Sequence, residues 1–445
     1  MNYILFLRFL SLIFLCTATF LENMAQSVSW HAIESKGYAE ERHENGLVDA
    51  GDKFILLGGR GMKPVDIYDT QEKTWTRGAP PPIEIHHMQA VSLNGLVYVV
   101  GAFTGPYPYE TPLTNILIYD PVLDIWAIGP EIPAERRRGA AGVVVYNSKI
   151  YVVNGIINGH TSGWVHWLDE FDPATNKWQP LPDAPRARDH VHAAVIGNKL
   201  YVAGGRRSGF SSETFTTTVK ETNIFDFTTQ EWTELPSPEG DIPTLRAGSA
   251  AAVYQGNLLI IGGESGEQEL AHNEVEMLDI ASGSWKSLEP LKRGRHGTQA
   301  IYFDDMVFIG AGSGNRGGGP ELNSFEVLAP NENPAVKSNP LTAGKISASV
   351  ETLMFNNPDK GDKKQIVIEN KGGNQAIFIS YILLDNTAVF ETQFDNKTPL
   401  ALAPGQRLPI DIIFKGGSGN GQKALLLIKA VGKSAPVSIP ISVER

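Results

Sequence analysis

Short apolar runs separated by turn residues fill most of the chain, and they recur in register. Five times an aromatic residue or Leu is followed by Asp, five further residues and then Trp. The units are Tyr68-Asp69 to Trp75, Tyr119-Asp120 to Trp126, Phe171-Asp172 to Trp178, Phe225-Asp226 to Trp232 and Leu278-Asp279 to Trp285. Successive tryptophans are 51, 52, 54 and 53 residues apart. Between them, β-branched and aromatic runs end in glycine six times, at Gly58, Gly101, Gly155, Gly204, Gly262 and Gly310. Such runs, bounded by Gly, Asn and Asp, predict strands joined by tight turns. Each unit reads as four strands: a small apolar one, one entering the glycine, one ending at the Asp, and one carrying the Trp. Four strands in a repeat of about 50 residues make a β-propeller blade.

The ends set the blade number. Residues 322–328 form a third strand with no Trp strand behind it, and Ser29-Trp30-His31-Ala32 reads as a fourth strand with nothing in front. Six blades, with the N-terminal strand completing the last, satisfy both ends and leave no open edge. The propeller is expected over 26–329, with its repeat tryptophans packing the blades. Residues 330–341, rich in Asn and Pro, read as a linker. Residues 342–445 contain no Trp and show short alternating runs at 364–369, 376–384, 408–414, 424–430 and 437–443, which predict an antiparallel β-sandwich.

The glycine exits and Asp-to-Trp units resemble kelch repeats. The tail phrases "QIVIENKGGNQAIFI" and "LALAPGQRLPIDIIFKGG" resemble immunoglobulin-like domains of the ASPM/SPD-2/hydin type. The expected fold is therefore all-β: a six-bladed kelch β-propeller followed by an immunoglobulin-like β-sandwich. The second resemblance implies a spacer or docking role for the tail.

Composition sharpens this in three places. The net charge is -11, with about -14 on the propeller and +3 on the tail, so phosphate backbones are repelled and no nucleic-acid partner is expected. Arg8 and the apolar run 9–15 read as a signal peptide over 1–25, cleaved after Ala18 or Ala25. A secreted or periplasmic location follows, with no transmembrane anchor after cleavage, since no later stretch is apolar for long enough. The single cysteine, Cys16, lies in that leader, so the mature chain is expected to lack disulfides and thiolate chemistry.

Candidate chemistry falls on one face. The loops leading into each blade and those between its second and third strands are long and varied, and they share a face where function concentrates. They carry Tyr107, Tyr109, Trp164, Trp167, Phe210 and Phe215, aromatics suited to stacking on sugars or peptide side chains. At the same mouth, alignment of the repeats puts Arg42, Arg138, Arg188 and Arg246 at one position and Glu44, His87, His190 and His296 two residues on, with Ala140 and Gly248 in the remaining blades. Such a ring of arginines suits a carboxylate or an acidic sugar. Asp189, Glu44 and Glu84 are the nearby acid–base groups. His87, His190, His192 and His296 offer imidazoles, but no carboxylate of known spacing accompanies them, so no metal site and no cofactor is assigned.

Two functional classes follow. The first is a non-catalytic binding protein that takes a glycan or protein ligand on the loop-rich face. The alternative is a sugar-acid epimerase or mutarotase acting in the channel mouth, suggested by a distant resemblance to sialic acid mutarotases. The domain order is also similar to that of galactose oxidase, but that chemistry requires a Cys–Tyr cross-link and the mature chain has no cysteine. A dry, converging acid–base pair beside the arginines would favour the enzyme; an open aromatic rim would favour binding.

Overall fold

The computed structural model describes residues 28–332, 334–394, 398–417 and 421–445. The expected leader and both cleavage sites lie outside the described residues. Six four-stranded antiparallel sheets follow one another. The first blade runs Asn45–Ala50, Lys53–Gly58, Asp66–Asp69 and Thr74–Arg77. The next four repeat that order, innermost strand to outermost. The sixth has three strands of its own, and Ser29–Ala32 pairs antiparallel with Phe325–Ala329 to complete it. The expected closure by the N-terminal strand is thus observed.

The repeated residues have separable duties. Each repeat Asp opens the last turn of its blade by accepting backbone N–H groups. Asp120 takes those of Val122 and Leu123 at 3.0 Å, and Asp279 those of Ala281 and Ser282 at 3.0 Å. Four of the tryptophans pack on the aromatic one strand inward, as in Tyr119–Trp126 at 5.2 Å and Phe171–Trp178 at 4.8 Å. Several also tie blades together. The indole N–H of Trp126 donates to Ala79 O, that of Trp232 to Pro182 O, that of Trp285 to Gly240 O and that of Trp30 to Glu289 O, each in the preceding blade's exit.

The tail forms two sheets around one core. Lys345–Ala348, Lys363–Lys371, Arg407–Phe414 and Phe390–Gln393 make one, and Leu353–Asn356, Val437–Glu444, Lys423–Ala430, Ile377–Leu384 and Leu400–Leu402 make the other. Alternate residues such as Ile366, Ile368, Ile410, Ile412, Leu426 and Ile428 fill the space between them. One pair departs from the antiparallel expectation: Leu353–Asn356 runs parallel to Val437–Glu444.

The sandwich sits on the turn face of the propeller. Ala376 N donates to Asn94 O at 2.8 Å, and Gln375 Nε2 donates to Asp120 Oδ1 at 2.8 Å. Ala376, Phe378 and Ala401 join the apolar core of the second blade. The long loops lie on the opposite face.

Candidate functional site at the channel mouth

The arginines do not form an anion-gripping ring, and this corrects the sequence expectation for Arg42, Arg138, Arg188 and Arg246. All four are buried, and each guanidinium turns into its own blade. Arg42 donates to Gly58 O, Arg138 to Asn154 O, Arg188 to Gly204 O and Arg246 to Gly262 O, at 2.6–2.9 Å. On the third strand Arg42 pairs with Asp66, Arg138 with Asp169 at 2.7 Å and Arg246 with Glu276 at 2.7 Å; Arg188 meets Asn223 Oδ1 at 2.5 Å. Arg295 does the same in the sixth blade, with Ala311 O and Glu326. Burial pushes Arg138 down to about 10 and Arg188, which has no directly paired carboxylate, down to about 9.

Two residues beyond each of these positions the six blades meet. The amide of Glu44 donates to Gly297 O, Gly297 to Gly248, Gly248 to His190, His190 to Ala140, Ala140 to His87 and His87 back to Glu44, at 2.5–3.1 Å. All six residues have positive φ, between 50° and 61°. The arrangement is a closed hydrogen-bonded ring about the channel axis. At Gly297 any side chain would strike Glu44, since a Cβ would lie 2.8 Å from its Oε1. Glu44, His87 and His190 hold this strained conformation with full side chains, a cost that gathers at functional sites. Gly297 takes the ring position in the sixth blade, so His296 is one residue out of the expected register. It faces another part of the mouth, 2.9 Å from Asn315 O and 3.5 Å from Glu264.

Loops bring further polar groups onto the ring. His190 Nδ1 lies 2.5 Å from Asp189 Oδ1, which also accepts from Ser208 Oγ. His190 Nε2 lies 3.0 Å from His160 Nε2, and His160 Nδ1 lies 3.0 Å from Glu110 Oε1. Arg60 grips the same Glu110 oxygen at 2.7 Å. His86 Nδ1 meets His87 Nδ1 at 2.7 Å, and His87 Nε2 lies 3.5 Å from Glu44 Oε2. Burial pushes Glu110 up, but His160 and Arg60 more than offset it and hold the carboxyl at about 2. Burial likewise opposes ionisation of Glu264, yet His296 and Arg206 keep it at about 2. Burial drives His87 well below its ordinary value. His160, Glu110, Arg60, Arg206, Ser208 and Glu264 were not singled out in the sequence, because they sit in non-repeating loops. Glu84 reaches the backbone N–H of Gly61 at the loop edge.

Space at the mouth is scarce. The cavity lined by Glu44, His87, His190 and His192 measures about 20 Å³, enough for about one water. Higher up, Trp164, Arg207, Gly209 and Thr218 border an open groove of about 590 Å³. Arg207 lies over the Trp164 ring at 5.4 Å. Tyr107 is 63% exposed, Tyr109 70%, Trp164 44% and Phe210 68%. Tyr109 and Phe210 stack across two loops with centroids 6.3 Å apart. Trp167 differs from the expectation: it is packed down beneath Arg136 at 4.3 Å and Arg138 at 5.5 Å. Phe215 lies beneath Arg206 and Arg316 in the same way.

A family model described as the KLHDC2/KLHL20/DRC7 Kelch-repeats domain matches residues 128–312. Kelch-like protein terF of Aspergillus terreus (strain NIH 2624 / FGSC A1156) is 27% identical over 292 residues, 62% of this chain and 61% of that protein. Kelch-like protein 25 of Xenopus tropicalis is 26% identical over 260 residues, 56% of this chain and 41% of its own. Kelch-like protein 23 of Homo sapiens is 23% identical over 269 residues, 59% of this chain and 44% of its own. The match thus spans less than two thirds of each relative. The solved structure of YjhT aligns with a TM-score of 0.55 at 16% identity, covering 65% of this chain and 95% of that one, a likeness of fold. With six sheets, the repeat ties and these similarities together, the chain carries a kelch-repeat β-propeller.

Proposed function

We propose that the protein is a secreted or periplasmic binding protein whose loop-rich face takes a protein or glycan ligand. One observation carries the reading: Tyr107, Tyr109, Trp164 and Phe210 stand exposed on the loops, with Trp164 bordering an open groove, while the cavity at the channel mouth holds about one water. Kelch propellers typically serve as protein-binding scaffolds, which supports a polypeptide ligand. The guanidinium of Arg207 over Trp164 adds a polar edge to an apolar anchor, a pairing common at recognition surfaces. Buried acid–base groups do converge at the mouth, as the epimerase alternative would need. They are engaged with one another, and a sugar ring requires a cavity many times larger than 20 Å³. In this reading the tail is an immunoglobulin-like domain of the ASPM/SPD-2/hydin type over 342–445. It acts as a spacer that holds the turn face and presents the loops outward.

The test is a thermal-shift and direct-binding screen against neutral saccharides, sialic and uronic acids, and peptide libraries. A ligand that binds only the folded state raises the melting temperature. The expected hit loses its effect in Trp164→Ala and in Tyr109→Ala with Phe210→Ala. A hit that survives all three substitutions would remove the loop face from the proposal. A sialic or uronic acid that is interconverted between anomers would return the weight to the enzyme alternative.

A further inference from the structure

Three buried imidazoles converge at the channel mouth. His87, His160 and His190 each offer a nitrogen within 4.8 Å of the other two. Their ring centroids are 4.9, 5.0 and 4.7 Å apart, a nearly equilateral triangle. The three come from different places: His87 and His190 from the left-handed ring, His160 from a hairpin turn. The small Ala140 separates the two ring histidines and leaves room for His160.

Hydrogen bonds on the far side of His87 and His190, and a carboxylate beside His160, set where each lone pair points. His86 Nε2 faces the carbonyl of Gly105 at 3.0 Å, so that nitrogen carries the proton. The His86 Nδ1 is then an acceptor, and His87 Nδ1, 2.7 Å away, is the donor. His87 Nε2 is left with its lone pair. The Nδ1 of His190 donates to the Asp189 carboxylate, which leaves Nε2 as a lone pair. The Nδ1 of His160 lies 3.0 Å from Glu110 Oε1 without the alignment of a hydrogen bond; the carboxylate favours the proton on that nitrogen, which leaves Nε2 as the third. The Nε2 lone pairs of His160 and His190 then confront each other at 3.0 Å. Two lone pairs at that separation repel unless a positive charge lies between them. In addition, Glu110 Oε2 is buried without a hydrogen-bond partner.

We propose that His87, His160 and His190 bind a divalent first-row transition metal ion, zinc being the type case, with a water in the fourth position. Neutral imidazoles whose second nitrogen is held by a carboxylate or a hydrogen-bonded neighbour are the pattern of metal-ligating histidines. Ligand nitrogens around a tetrahedral zinc stand roughly 3.3 Å apart; His160 Nε2 and His190 Nε2 are 3.0 Å apart and the His87 nitrogen lies within 4.8 Å of both. Glu44 Oε2 lies 3.5 Å from His87 Nε2 and borders the cavity of about 20 Å³, which can hold one metal-bound water. Asp189, Glu110 and His86 are positioning residues that orient the ligands. The site is independent of the loop groove and stands or falls without it.

The experiment uses the purified chain, stripped with a chelator and titrated with cobalt(II) and zinc chloride. The expected result is one equivalent bound per chain, a visible cobalt d–d band displaced by zinc, and a raised melting temperature with zinc. His160→Ala lies in a hairpin turn outside the ring and is expected to abolish the band while the stripped protein keeps its fold. Glu110→Gln is expected to weaken affinity by roughly 10–100-fold, as positioning substitutions do. Trp164→Ala is expected to leave metal binding unchanged. A folded wild-type chain that binds neither ion, with a proton shared between His160 and His190 seen by nitrogen NMR, would overturn the proposal. Binding that survives His160→Ala together with His190→Gln would overturn it equally.

Discussion

The blade interiors and the channel mouth use positions only two residues apart in each repeat, yet they obey opposite rules. At the inner position five of six blades carry Arg, and in all five it reaches the carbonyl sixteen residues on and a polar group on the third strand. The side chain repeats because the job repeats. At the ring position the backbone repeats instead: six positive φ values and six inter-blade hydrogen bonds. The side chains there are Glu, His, Ala, His, Gly and Gly. A scaffold role keeps residues alike, while divergent side chains on one repeated backbone mark the place where the molecule does something particular.

Substitutions can break or sharpen that contrast. The largest effect is expected from Arg246→Ala, which strands buried Glu276 without its partner and should cost about 3–5 kcal/mol in denaturant unfolding. Next is a pH effect at the mouth. Glu264 sits at about 2 against an ordinary 4.5, so the unfolded chain binds the proton more readily over that interval. The stabilisation is complete above about pH 4.5 and is lost as pH falls toward 2. It amounts to about 3 kcal/mol, and Glu264→Gln should flatten that slope in acid unfolding curves. Trp232→Phe removes only the donor to Pro182 O and should cost about 1 kcal/mol, measurable by calorimetry. Smallest is Trp164→Ala on the loop face, expected to change stability by less than about 0.5 kcal/mol while removing ligand-induced stabilisation.

The repeat made the six blades and their closure legible, because Trp30 and the Asp-to-Trp units report strand order directly. The arginines were misread because a cation at a strand edge shows its charge but not its partner. The partner was nevertheless present in the sequence, three residues before the turn position of each blade: Asp66, Asp169, Asn223, Glu276 and Glu326. In the second blade, where Ile85 takes the arginine's place, the third-strand position is Leu117, and both are buried. That internal covariation is the signature of a private pair. His160 and Glu110 carry no such signal. They reach the mouth through loops of unequal length, so only the folded chain brings them to His190.

The closing strand has a mechanical consequence. Ser29 pairs with Ala329 and Ala32 with Glu326, so the segments leading away from this pair leave it side by side. Tension between them would peel the two strands apart one hydrogen bond at a time, the weakest way to load a sheet. The docking of Gln375 and Ala376 onto Asn94, Gly95 and Asp120 gives the tail a second grip on the propeller. Pulling on the tail therefore loads the second blade before it reaches the closing seam, and the clasp is shielded from the force most able to open it.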